Sequence, residues 1–143
     1  MALERARRTL GDDRALAALG ADDRACLRRA YEQLLGELAG RDLGPARALH
    51  GEPHGGNLPL TAQGPRWIDF ESACEGPLEW DLAFLDEDAV CAFASVDEDL
   101  LALLRGLNSA RVATWCWLGA RFPQMRWHAE HHLRLVRERY ADR

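Results

Sequence analysis

Four side chains in the middle of the chain have the types and spacing to do chemistry together: His50, Glu52, Asn57 and Asp69. A strand, a polar loop, a second strand and an acidic strand end would gather Glu52, Asn57 and Asp69 at one end of a hairpin. Two carboxylates and a carboxamide there are hard oxygen donors of the kind Mg²⁺ prefers, with phosphate oxygens free to complete the shell. Gly51, Gly55 and Gly56 let the intervening backbone turn sharply and approach a ligand closely. The bland alternative is a polar turn with a strand-ending carboxylate. A zinc pair from His50 and His54 is also conceivable, but i, i+4 ligands need a helix, which Gly51, Pro53, Gly55 and Gly56 oppose.

The order of these residues resembles a known family. His50-Gly51-Glu52-Pro53-His54-Gly55-Gly56-Asn57 is similar to the H-G-[DE]-x-H-x-x-N loop of aminoglycoside phosphotransferases and choline kinases. Trp67-Ile68-Asp69-Phe70-Glu71 resembles the strand and metal aspartate that follow it, and Gly76-Pro77-Leu78-Glu79-Trp80-Asp81-Leu82-Ala83 resembles that family's G-[DP]-P-x-x-D-L-A segment. The logic is that of the protein-kinase catalytic loop and D-F-G aspartate. The resemblance implies that Glu52 accepts or orients the acceptor hydroxyl's proton, with His50 bracing the loop at its side. It implies that Asn57 and Asp69 hold Mg²⁺ and, through it, ATP or GTP. Asp81 would accept hydrogen bonds from the loop backbone, and His54 and Glu71 would stand adjacent. The acceptor would be a hydroxyl on a small molecule.

Two departures stand out. Glu52 occupies a position where the family usually has Asp; the reference pKa hardly moves, from about 3.9 to about 4.3, but the carboxylate sits one methylene further out. In addition, residues 1–46 show no glycine-rich loop and no strand-rich sheet. All 18 basic residues are arginine, so no lysine is present to grip nucleotide phosphates. The expectation is therefore a single domain over 1–143, the C-terminal lobe of a protein-kinase-like fold without its nucleotide lobe. Alone it would be inactive or weakly active, completed by a separate nucleotide lobe or by self-association. The alternative is a catalytically inactive remnant or interaction module of the same family.

The elements that must position these residues are mostly helical. In Asp22–Leu38, Ala25, Leu27, Ala30, Tyr31, Leu34, Leu35 and Leu38 fall at three-and-four spacing, which predicts one buried face. Asp22 and Asp23 suit its first turn and Gly40 its end. Residues 41–77 hold most of the six prolines, so helix breaks there. Short strands are predicted at Arg47–His50, Leu58–Thr61 and Arg66–Phe70, the last two joined by Ala62-Gln63-Gly64-Pro65. Helix resumes after Pro77. Ser95 and Glu98 form a capping-box pattern opening a helix to about Leu118, with Leu101, Leu104, Val112, Trp115 and Leu118 on its buried face. A last helix is predicted over Gln124–Tyr140. The fold class is α+β, mainly α: helices around a small β-hairpin that carries the catalytic loop.

Composition excludes other classes. With 48% hydrophobic and 29% charged residues the 143-residue chain can bury a core, and its net charge of −5 argues against nucleic acid as partner. No segment is apolar enough to span a bilayer, since Leu100–Leu118 is interrupted by Arg105, Asn108 and Arg111. No secretory pattern opens the chain. Cys26, Cys74, Cys91 and Cys116 form no CxxC pair and read as buried reduced thiols, so a cytoplasmic compartment is expected. The acidic runs Asp86-Glu87-Asp88 and Asp97-Glu98-Asp99 suit a cationic acceptor, or equally helix-terminal and solvated acids. Trp80, Trp115, Trp117 and Trp127 could box an ammonium group, although core packing is the plainer reading. His128, His131 and His132 lie among arginines on the last helix and read as a solvated basic face.

Overall fold

A computed structural model describes residues 2–140, which form two compact units: one from residues up to Gly40 together with those from Gly106 onward, the other spanning Arg41–Arg105.

The first unit is helical. Helix α1 (Ala2–Gly11) is followed by turns and then by α2 (Ala21–Ala39), which ends at Gly40. Cys26, Leu27, Ala30, Tyr31 and Leu34 form the buried face of α2, while Ala25, Leu35 and Leu38 stay half-exposed at its margins. Each fully buried Leu contributes on the order of 2 kcal/mol. The Tyr31 hydroxyl donates to Leu3 O at 2.8 Å, which ties α2 to α1. Arg24 donates to Leu19 O at 2.6 Å and to Leu16 O at 3.2 Å, giving partners to carbonyls in the turns before α2. The last helix, α6 (Pro123–Tyr140), buries Ala129, Leu133, Val136 and Tyr140, and its Arg137 pairs with Asp23 of α2. Packing is close at Gly106, where a Cβ would meet the Tyr140 hydroxyl at 2.7 Å and Leu34 Cδ2 at 3.3 Å.

The second unit carries the small sheets. Strand β1 (Arg47–Leu49) pairs antiparallel with β4 (Cys74–Gly76), Leu49 opposite Cys74 and Arg47 opposite Gly76. Strands β2 (Leu60–Thr61) and β3 (Gly64–Pro65) form the hairpin, turning at Ala62-Gln63. Two short helices follow, α3 (Leu78–Leu82) and α4 (Glu87–Val90), and then the long helix α5 (Glu98–Leu118) begins. Trp80, Leu82, Leu49 and the Leu100–Leu104 turn of α5 are buried in this unit, with Ala102 half-buried.

Several expectations are corrected. Arg66–Phe70 is not a strand: residues 66–69 are irregular and Phe70–Ser72 is a 3-10 turn. The N-cap of α5 is Asp97, whose Oδ1 accepts from Leu100 N at 2.9 Å, and Ser95 plays no such part. The α5 face differs too, since Leu118 is exposed and Val112 and Trp115 are half-exposed while Leu107, Ala110, Ala113 and Trp117 are buried. Among the cysteines only Cys26 and Cys116 are buried; Cys74 and Cys91 are exposed, and all four are free. Trp127 is 62% exposed rather than core. Of the three α6 histidines only His128 is exposed, His131 and His132 being half-buried, and the His132 Nδ1 atom is buried without a hydrogen-bond partner. The fold class, mainly helical with small sheets, is as expected. No helix among the described residues is long and apolar enough to cross a membrane.

Candidate functional site

The loop after β1 is held from beneath by α3. Asp81 of α3 accepts His50 N–H on one carboxylate oxygen at 2.8 Å and Gly51 N–H on the other at 2.9 Å. The neighbouring Trp80 donates its indole N–H to Gly51 O at 3.0 Å in a buried bond. Gly51 has φ +89°, and a Cβ there would lie 2.1 Å from Ser72 O, so the position accepts glycine alone.

His50 is buried and uses both ring nitrogens on the backbone. Nε2 lies 2.9 Å from Ile68 O and Nδ1 lies 3.3 Å from Glu52 N. A carbonyl can only accept and an amide N–H can only donate, so the ring is the neutral tautomer protonated at Nε2. Trp67 and Phe70 pack on it, with ring centroids 5.2 and 4.6 Å away. The ring thus braces the loop against the segment that carries Asp69.

Beyond Glu52 the chain folds back in a 3-10 turn, Gly55–Asn57. His54 caps it, its exposed ring accepting from Gly56 N at 3.1 Å, while His54 N donates to Glu52 O at 2.8 Å. The Glu52 carbonyl also accepts from Asn57 Nδ2 at 3.0 Å. That bond commits the amide end of the buried Asn57 carboxamide and leaves its oxygen as the end able to meet a cation. With both histidine rings engaged on backbone groups, the zinc pair has no support.

The hairpin brings Asp69 to this turn. Below β2 and β3, Arg66 N donates to Pro59 O at 3.1 Å and Ile68 N donates to Asn57 O at 3.0 Å. Residue 57 therefore stands across from residue 68, one position before Asp69. Asp69 takes φ 63°, ψ 60°, and is the one non-glycine residue with positive φ among those described. Such a conformation costs roughly 1 kcal/mol and lifts the side chain out of the strand path. The Asp69 carboxylate is exposed and carries no side-chain cap bond to the 3-10 turn that follows, in which Glu71 is also exposed.

Hydrogen bonds join Asn57 to the Glu52 carbonyl and to Ile68 N, one residue before Asp69; Asp81 holds the loop, His54 caps the 3-10 turn, and Glu71 lies two residues beyond Asp69. Among the described residues no three His, Cys, Asp or Glu side chains are grouped to hold a metal alone. One carboxamide oxygen and carboxylates fit a cation only in part, as suits Mg²⁺ that keeps waters or phosphate oxygens in its shell. Sequence reasoning missed Trp80 and the Ser72 carbonyl; the signal for Trp80 was its place beside Asp81 in a quoted motif.

Asp81 of α3 thus clamps the loop at His50 and Gly51, and Asn57 faces residue 68, one before Asp69. The chain belongs to the phosphotransferase enzyme family, whose profile matches residues 2–115, a partial domain of the aminoglycoside-phosphotransferase type. No curated protein and no solved structure matches it.

Proposed function

We propose that this chain is the metal-binding and acceptor-binding lobe of a small-molecule kinase that uses Mg²⁺ with ATP or GTP. The observation that carries the reading is the Ile68 N–Asn57 O bond, which sets Asn57 beside Asp69 while Asn57 Nδ2 holds the Glu52 carbonyl. Asn57 and Asp69 hold the cation, which supplies charge neutralisation at the nucleotide phosphates. Glu52 takes the acceptor hydroxyl's proton or orients it, and because the transfer state is loose, positioning matters more than basicity. His50 and Asp81 fix the loop. Of the acidic runs 86–88 and 97–99, Asp86 and Asp97 cap helices α4 and α5, which is the helix-terminal role, so the acceptor's charge is left open.

Leu60, Trp67, Ile68 and Phe70 are exposed around the hairpin in the same unit. Apolar surface beside a site is a reason for a covering partner, a separate nucleotide lobe or a second copy. Four free cysteines accord with a reducing, cytoplasmic setting.

A second reading, a non-catalytic module of the same family, is favoured by one fact: the 143 residues contain no lysine. Thermal-shift titration separates the two. Mg-ATP or Mg-GTP should raise the melting temperature saturably beyond Mg²⁺ alone, by about 2.7 kcal/mol of stabilisation at 100 times Kd. A flat response to both nucleotides supports the second reading and overturns the first.

A further inference from the structure

The peptide unit joining Gly51 to Glu52 is held at both ends. Its carbonyl accepts from Trp80 Nε1 at 3.0 Å, and its N–H donates to His50 Nδ1 at 3.3 Å. The preceding peptide is held through Gly51 N by Asp81, the next residue of α3 after Trp80. Gly51 sits at φ +89°, where glycine alone moves freely. Rotation about Gly51 ψ, which carries the Gly51–Glu52 peptide and the residues after it, therefore meets little intrinsic resistance. It would swing the Glu52 side chain to a new direction. It would also leave the buried indole N–H and the Gly51 carbonyl without partners, which is what opposes it. The His50 bond is the longer of the two, so the indole carries most of the restraint. The effect extends one step further, because the next carbonyl, Glu52 O, accepts from Asn57 Nδ2 at 3.0 Å.

We propose that Trp80 is a positioning residue: its indole N–H fixes the Gly51–Glu52 peptide and so aims the Glu52 carboxylate and the Asn57 carboxamide. The inference rests on reading Glu52 and Asn57 as site residues. It is tested with Trp80→Phe, which keeps an aromatic ring and removes the donor. In the folded variant the Glu52 amide should exchange at least about tenfold faster, with α5 amides unchanged within about threefold. The Asn57 side-chain NH₂ signal should broaden, and Mg-ATP affinity should fall about tenfold. A merely packing role would leave the Glu52 and Asn57 signals as they are, and that result overturns the proposal. Should the variant not fold, the wild-type chain decides. Its Trp80 indole N–H should exchange at least about tenfold slower than that of exposed Trp127, and equal rates overturn the proposal. Faster loop exchange in the variant, with no Mg-nucleotide binding by either chain, supports the hold by Trp80 and overturns the phosphotransferase reading instead.

Discussion

The Asp81 carboxylate spans two consecutive backbone donors, with Oδ2 2.8 Å from His50 N and Oδ1 2.9 Å from Gly51 N. Each is a hydrogen bond to a charged acceptor, and bonds of that kind contribute about 1.5–3 kcal/mol apiece. Asp81→Ala is therefore expected to cost about 3 kcal/mol in urea unfolding. Asp81→Asn, which keeps one good acceptor oxygen, should cost about half of that. An alanine variant within about 0.5 kcal/mol of wild type would mean that the clamp contributes nothing measurable.

Gly51 and Gly64 make an internal comparison. Both have positive φ, +89° and +96°, but a Cβ at 51 would lie 2.1 Å from Ser72 O whereas at 64 it meets nothing within 4 Å. Gly64→Ala carries only backbone strain, about 1 kcal/mol. Gly51→Ala adds a backbone collision and should cost at least about 3 kcal/mol. Equal effects in thermal unfolding would contradict the packing described at the loop.

Acid should act through His132. Burial, and then the positive charges of His131, His128 and Arg111, lower it to about 4. Its value in the unfolded chain is about 6.5. The unfolded state takes up the proton first, so this stability is complete above about pH 6.5 and is lost as pH falls towards about 4, at no more than about 1.4 kcal/mol per pH unit. His132→Leu should flatten the stability profile in this window relative to wild type. Parallel profiles would show that the ring titrates normally.

Much of the fold was legible where periodicity is strong. Helix α2 follows from its apolar spacing, α6 spans the range expected of the last helix, and Gly40 and Pro77 mark boundaries as turn chemistry requires. Arg66–Phe70 misled because its backbone groups go elsewhere: Ile68 N to Asn57 and Ile68 O to His50, with Asp69 in a left-handed conformation. The partner of β1 was hidden, since Cys74-Glu75-Gly76 has no strand character and pairs across 25 residues or more. Along α5 apolar residues face nearly every direction, so spacing could not separate Leu107 from Leu118. The hold of Asp81 on the loop backbone was readable from motif order, whereas the Trp80 bond depends on the angle at which α3 meets the loop.

The central claim is that Asn57 and Asp69 form a cation site for a nucleotide. Its most direct test is Mn²⁺ binding in the presence of ATP, followed by electron paramagnetic resonance in wild type, Asp69→Ala and the remote control Asp99→Ala. Saturable binding in wild type and Asp99→Ala, weakened at least about tenfold in a folded Asp69→Ala (about 1.4 kcal/mol), is the expected result. Equal Mn²⁺ binding in all three chains would contradict the account.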